Sequence, residues 1–68
     1  MTADEVLDAL QKHAPAGERE LAAYYVTAKA LAIQGGAAQG AEQLALDARR
    51  VVDEATDEEI ETIIGEGQ

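Results

Sequence analysis

The 68-residue chain has no cysteine, serine, asparagine, phenylalanine or tryptophan, and it has one histidine and one proline. Without cysteine, neither a disulfide framework nor a thiolate metal site is available to staple so short a chain. The usual nucleophiles are missing too, because neither a thiol nor a serine hydroxyl remains. Positive charge is scarce. Lys12, Arg19, Lys29, Arg49 and Arg50 face 14 acids, giving a formal net charge of −9 and no basic patch to neutralise phosphates. A direct nucleic-acid partner is therefore not expected. The longest nearly uncharged run, 21-LAAYYVTAKALAIQ-34, is too short to span a bilayer, and the acidic opening MTADEVLDAL lacks the positive charge of a secretory leader. The expectation is a soluble protein of the cytoplasm or of an intracellular particle, without a membrane partner. The acid excess also suits a GC-rich genome or a salt-loving host, where surface repulsion is screened.

What is present is alanine, the best helix former, together with helical periodicity and no strand alternation. The expectation is a single all-α domain over residues 1–68, a small bundle of three amphipathic helices plus a short C-terminal fourth. Thr2 and Glu5 form a capping-box pattern that opens a first helix over about Ala3 to Ala14. Its apolar stripe is Val6, Leu7, Leu10 and Ala14, and Pro15 and Gly17 break it. The second helix, about Glu18 to Gln34, gathers Leu21, Tyr24, Tyr25, Ala28, Leu31 and Ala32 in one sector. Ala22, Val26 and Ile33 fall on a flank, and Ala23, Thr27, Ala30 and Gln34 lie on the far side. Lys29 is the sole charge between Leu21 and Gln34, and a helix neutral nearly all round is usually central to a core or shared with another chain.

Gly35 is placed to end that helix in the left-handed conformation. The third helix, about Ala37 to Ala55, has Ala41, Leu44, Ala45, Ala48, Val51, Val52 and Ala55 on its inner stripe and Leu46 opposite. A fourth helix is signalled by Thr56 as N-cap with Glu59 as its box partner. Asp57 to Glu59 complement the positive helix end, Ile60, Ile63 and Ile64 form the buried face, and Gly65 is the stop. The alternative is one unbroken helix from Ala37 to Ile64, roughly 42 Å long at 1.5 Å per residue.

Little in this inventory can carry catalysis. His13 sits near the end of the first helix, where positive charge is favourable, and no second group stands at a spacing that would orient it as a base. The segment 35-GGAAQG-40 lacks the lysine and hydroxyl residue of a phosphate loop, so it reads as a turn between helices. Asp53, Glu54, Asp57, Glu58 and Glu61 have helical spacings that could hold a hard cation, but they follow no calcium-loop or di-metal pattern. No enzyme activity, catalytic residue, cofactor or specific metal is expected.

Two functions fit. The first is a non-catalytic assembly, adaptor or structural subunit working through helix-mediated protein contacts, as a homo-oligomer or within a larger particle such as a viral shell or tail. Its candidate contacts are Tyr24, Tyr25, Val26, Ile33 and Leu46. The alternative is an acidic regulator, a nucleic-acid mimic or antitoxin-like inhibitor, that occupies the basic site of a partner protein. Its candidate contacts are Asp53, Glu54, Asp57, Glu58 and Glu61. In that segment six carboxylates fall within nine residues, and Asp53 and Glu54 sit where a helix end disfavours negative charge.

Overall fold

A computed structural model of the chain describes residues 2–67. The fold is all-helical. Four α-helices, α1 (Ala3–Lys12), α2 (Glu18–Ile33), α3 (Ala41–Glu54) and α4 (Asp57–Glu66), are joined by short turns, with a 3₁₀ turn at Gly36–Gln39 and no strand among the described residues.

The Thr2 hydroxyl opens α1 by accepting the Glu5 N–H at 3.2 Å. The helix ends at Lys12, two residues before the expected Ala14. Pro15 pushes Ala14 out of the helical region, and the freed carbonyls find partners elsewhere in the fold. The Tyr24 hydroxyl donates to the Leu10 carbonyl at 2.8 Å, and Arg49 Nη1 donates to the His13 carbonyl at 3.0 Å. One side chain each from α2 and α3 thus caps the end of α1.

Gly35 follows α2 with φ +93°, as its expected role as a left-handed stop requires. The expected start of the third helix at Ala37 is corrected, because residues 36–39 form the 3₁₀ turn and α3 begins at Ala41. Gly40 causes the delay. Its φ of 106° and ψ of 158° lie in a region essentially confined to glycine, and no helix can pass through it.

The two helices at the C-terminal end are separate. Ala55 and Thr56 are both extended, so the chain does not run on as one helix from Ala37 to Ile64. The capping box is complete. Thr56 Oγ1 accepts the Glu59 N–H at 3.2 Å, and Glu59 Oε1 accepts the Thr56 N–H at 3.1 Å. These bonds satisfy two donors that a continuous helix would have paired internally, which removes the advantage of continuing. Gly65 does not stop α4. The helix runs through it to Glu66, and Gly67 caps the end by donating to Ile63 and Ile64. Glycine only permits a turn, and nothing at Gly65 demands one.

The α2 helix packs against α3 on one side and α4 on another, while α1 lies against α3. Arg19 meets Glu61 and Val26 meets Gly67, so α2 and α4 run in the same sense. The buried apolar residues are Leu10, Ala23, Tyr24, Ala28, Leu44, Ala45, Ala48, Val52 and Ile60. Five of these are large, each contributing about 1.5–3 kcal/mol on burial, which leaves a small margin for the domain. The expected inner sectors need correction. Ala23 and Thr27, assigned to the far side of α2, are buried, whereas Tyr25 and Ala32 are exposed. Leu7 and Val51, placed on inner stripes, are 51% and 40% exposed. On α2 the buried sector is rotated toward small residues. Ala23 and Ala28 on α2 and Ala45 and Ala48 on α3 let neighbouring helices approach closely, which bulky side chains would prevent.

Candidate interaction surfaces

The structure divides the expected contact residues. Tyr24 is fully buried and uses its hydroxyl on Leu10, so it presents nothing to a partner. Its residue type suits an interface, as that of Tyr25 does, but the open carbonyl at the end of α1 gives its hydroxyl an internal partner. Burial, reinforced by Tyr25, raises its pKa, and Arg49 opposes the shift. Tyr25 packs edge-on against it, with ring centroids 5.5 Å apart, and stays 38% exposed at the rim. Leu46 is 43% exposed on the outer side of α3.

Val26 is half-buried rather than outward-facing, because the end of α4 lies over it. The close approach depends on Gly67, where an added Cβ would come within 2.5 Å of Val26 Cγ2. Ile33, two turns further along the same flank, is 76% exposed. Between them lies an open groove of about 220 Å³ lined by Val26, Lys29, Ala30, Ile33, Glu66 and Gly67. It is smaller than the roughly 300–1,000 Å³ of small-molecule sites, and its scale suits an inserted side chain.

Lys29 was not among the expected contact residues. Of the five cationic side chains, Lys12 pairs with Glu42 at 3.1 Å, Arg19 with Glu61 at 2.7 Å, Arg49 with Asp53 at 2.9 Å and Arg50 with Asp47 at 2.6 Å. Lys29 makes no ion pair among the described residues and stands exposed at the groove. The available signal was its place between Val26 and Ile33 on one flank of an otherwise uncharged run.

The acidic segment also divides. Glu59 is occupied by the capping box, Asp53 by Arg49 and Glu61 by Arg19. Arg49 supplies a local reason for Asp53 at the end of α3. Glu54, Asp57 and Glu58 are exposed and make no ion pair among the described residues. No group of three or more potential metal-ligating side chains is gathered among the described residues. No helix there is long and apolar enough to cross a membrane. His13 Nε2 lies 3.3 Å from Glu42 Oε1. Hydrogen bonds from Lys12 and then His13 hold the Glu42 carboxyl below the usual carboxylate range.

Compared with models of protein families, with curated proteins and with solved structures, the chain matches none. The surfaces above therefore carry the functional argument alone.

Proposed function

We propose that this chain is a non-catalytic assembly or adaptor subunit, a small helical bundle that works through helix-mediated protein contacts. The carrying observation is the flank of α2, where Ile33 is 76% exposed beside a groove floored by Val26 and Ala30. An isoleucine this open gains about 25 cal/mol for each Å² of apolar surface a partner covers, a gain the folded monomer leaves unused. The bundle has few large buried residues, so covering this flank also adds stability that the chain lacks by itself. Docking into a larger particle, such as a viral shell or tail, is the setting in which such a small subunit is put to use. The test is the native mass of the complexes that contain this chain in its source cells. Recovery in a defined assembly is expected, and recovery only as a free monomer overturns the reading.

The second reading, an acidic regulator docked on a basic site of another protein, is favoured by one observation. Glu54, Asp57 and Glu58 stand exposed at the junction of α3 and α4 and make no ion pair among the described residues. Binding through these residues weakens steeply between about 0.1 M and about 1 M salt, as the Debye length falls from about 10 Å to about 3 Å. Partner affinity unchanged in a Glu54→Lys, Asp57→Lys, Glu58→Lys variant rules this reading out.

A further inference from the structure

We infer that α1 is a detachable latch, which lets go of α3 and unwinds as one unit while α2, α3 and α4 stay folded, uncovering the Tyr24 side of the core. The inference stands on the fold and does not depend on the assembly reading. The helices share the core unequally. Leu10 is the one buried residue of α1, whereas the other buried apolar residues lie on α2, α3 and α4. Thr2 to Glu5, Leu7 and Asp8 are exposed, and Val6 and Ala9 are half-buried. The body that remains is continuous without α1, since α2 packs against both α3 and α4, while α1 lies chiefly against α3.

The clasp sits at one end. Among the described residues, every hydrogen bond and ion pair from α1 and its cap to the other helices falls between Leu10 and His13. Tyr24 donates to the Leu10 carbonyl at 2.8 Å and Arg49 to the His13 carbonyl at 3.0 Å, while Glu42 holds Lys12 at 3.1 Å and His13 at 3.3 Å. Opening the clasp strands no charge. Arg49 keeps Asp53 at 2.9 Å, Lys12 and Glu42 already face solvent, and the freed hydroxyl and carbonyls pass to water. Pro15 and Gly17 separate α1 from α2, so α1 leaves without unwinding its neighbour. The 10 residues of α1 fall short of the roughly 12–15 that an isolated helix needs in water, so undocking and unwinding are one event.

The test is amide hydrogen exchange of the folded full chain, followed residue by residue by NMR without denaturant. The amides of Val6 to His13, hydrogen-bonded along α1, are expected to share one opening. That opening should be populated at least about tenfold more than the one that exposes the slowest amides of α2 and α3. Tyr24→Phe removes one bond of the clasp and is expected to raise the α1 rates about fivefold. Ile60→Val loosens the buried face of α4, in the part that stays folded when the latch opens. It is expected to speed the slowest α2 and α3 amides about threefold or more and to leave the α1 rates where they were. Amides of α1 as slow as those of the core overturn the inference, and so do rates graded from fast at Val6 to slow at His13, as in simple fraying. It also falls if Tyr24→Phe leaves the α1 rates unmoved, or if Ile60→Val raises them as much as it raises the core's.

Discussion

The two sides of α2 differ in a way that side-chain hydrophobicity does not anticipate. The side that closes the core carries Ala23, Tyr24, Thr27 and Ala28, two of them alanines and two bearing hydroxyls. The side that stays open carries Val26, Ala30 and Ile33 around a groove. Burial follows from what a neighbouring helix can do. Alanine on both partners lets α2 and α3 approach closely, and the Tyr24 hydroxyl has the Leu10 carbonyl waiting for it. On the open side the end of α4 meets Val26 at Gly67, and Ile33 beyond it stays 76% exposed.

The largest effect belongs to the closed side. Tyr24→Ala is expected to remove about 3–5 kcal/mol, comparable with the whole stability of a domain this small, and to abolish the cooperative urea transition. A variant that still unfolds cooperatively with a near-normal midpoint would mean that the core is centred elsewhere. Next comes a pair of neighbours. Ala23 is fully buried and Ala22 is exposed, so Ala23→Leu is expected to cost about 1–3 kcal/mol by overpacking, whereas Ala22→Leu stays within about 0.5 kcal/mol. Urea midpoints of the two variants decide it, and the opposite order would show that α2 is rotated about its axis.

These variants also mark where the sequence was legible. The all-helical class, the Thr56 and Glu59 box and the glycine stop at Gly35 were readable because each is local, set by residues within one turn of one another. The rotation of the buried sectors was not. Leu7 and Val51 have the right character for a core, and only the placement of α1 and α2 on α3 leaves them at the edge. The early end of α1 was half readable, in Pro15, and half a matter of tertiary structure, in Tyr24 and Arg49. On the open flank Val26 and Ile33 were picked out by their angle, but Glu66 and Gly67 enter the groove only once α4 is known to run alongside α2.

A smaller effect isolates the hydroxyl that closes the core. Tyr24→Phe keeps the ring but leaves the Leu10 carbonyl without its donor, at an expected cost of about 1 kcal/mol at neutral pH. The wild-type chain has in addition an alkaline limit. Burial, with Tyr25 adding to it and Arg49 opposing, raises the Tyr24 pKa above the ordinary value of 10.0, so the folded state favours the protonated phenol. That contribution is fully present below the unfolded value, and it is lost as pH rises through the folded one. Urea midpoints measured from pH 9 upward are expected to fall more steeply in the wild type than in Tyr24→Phe, and the two should converge. Parallel pH profiles would show that the Tyr24 hydroxyl is not held protonated by the fold.

The smallest effect is the most telling for the open side. An exposed isoleucine makes few contacts within its own chain, so Ile33→Ser is expected to change monomer stability by no more than about 0.5 kcal/mol. On the assembly reading, self-association through this flank would cover apolar surface that the same substitution removes. Association stabilises only the folded state, so the wild-type Tm is expected to rise with protein concentration. In Ile33→Ser the rise should be lost, while the dilute-limit Tm stays where it was. Melting both proteins across a hundredfold concentration range separates the two sides of α2 in one experiment. A residue that served the monomer core would shift the dilute Tm, whereas a residue that serves assembly shifts only its slope with concentration. Equal slopes for the two proteins would mean that this flank is not where the copies meet.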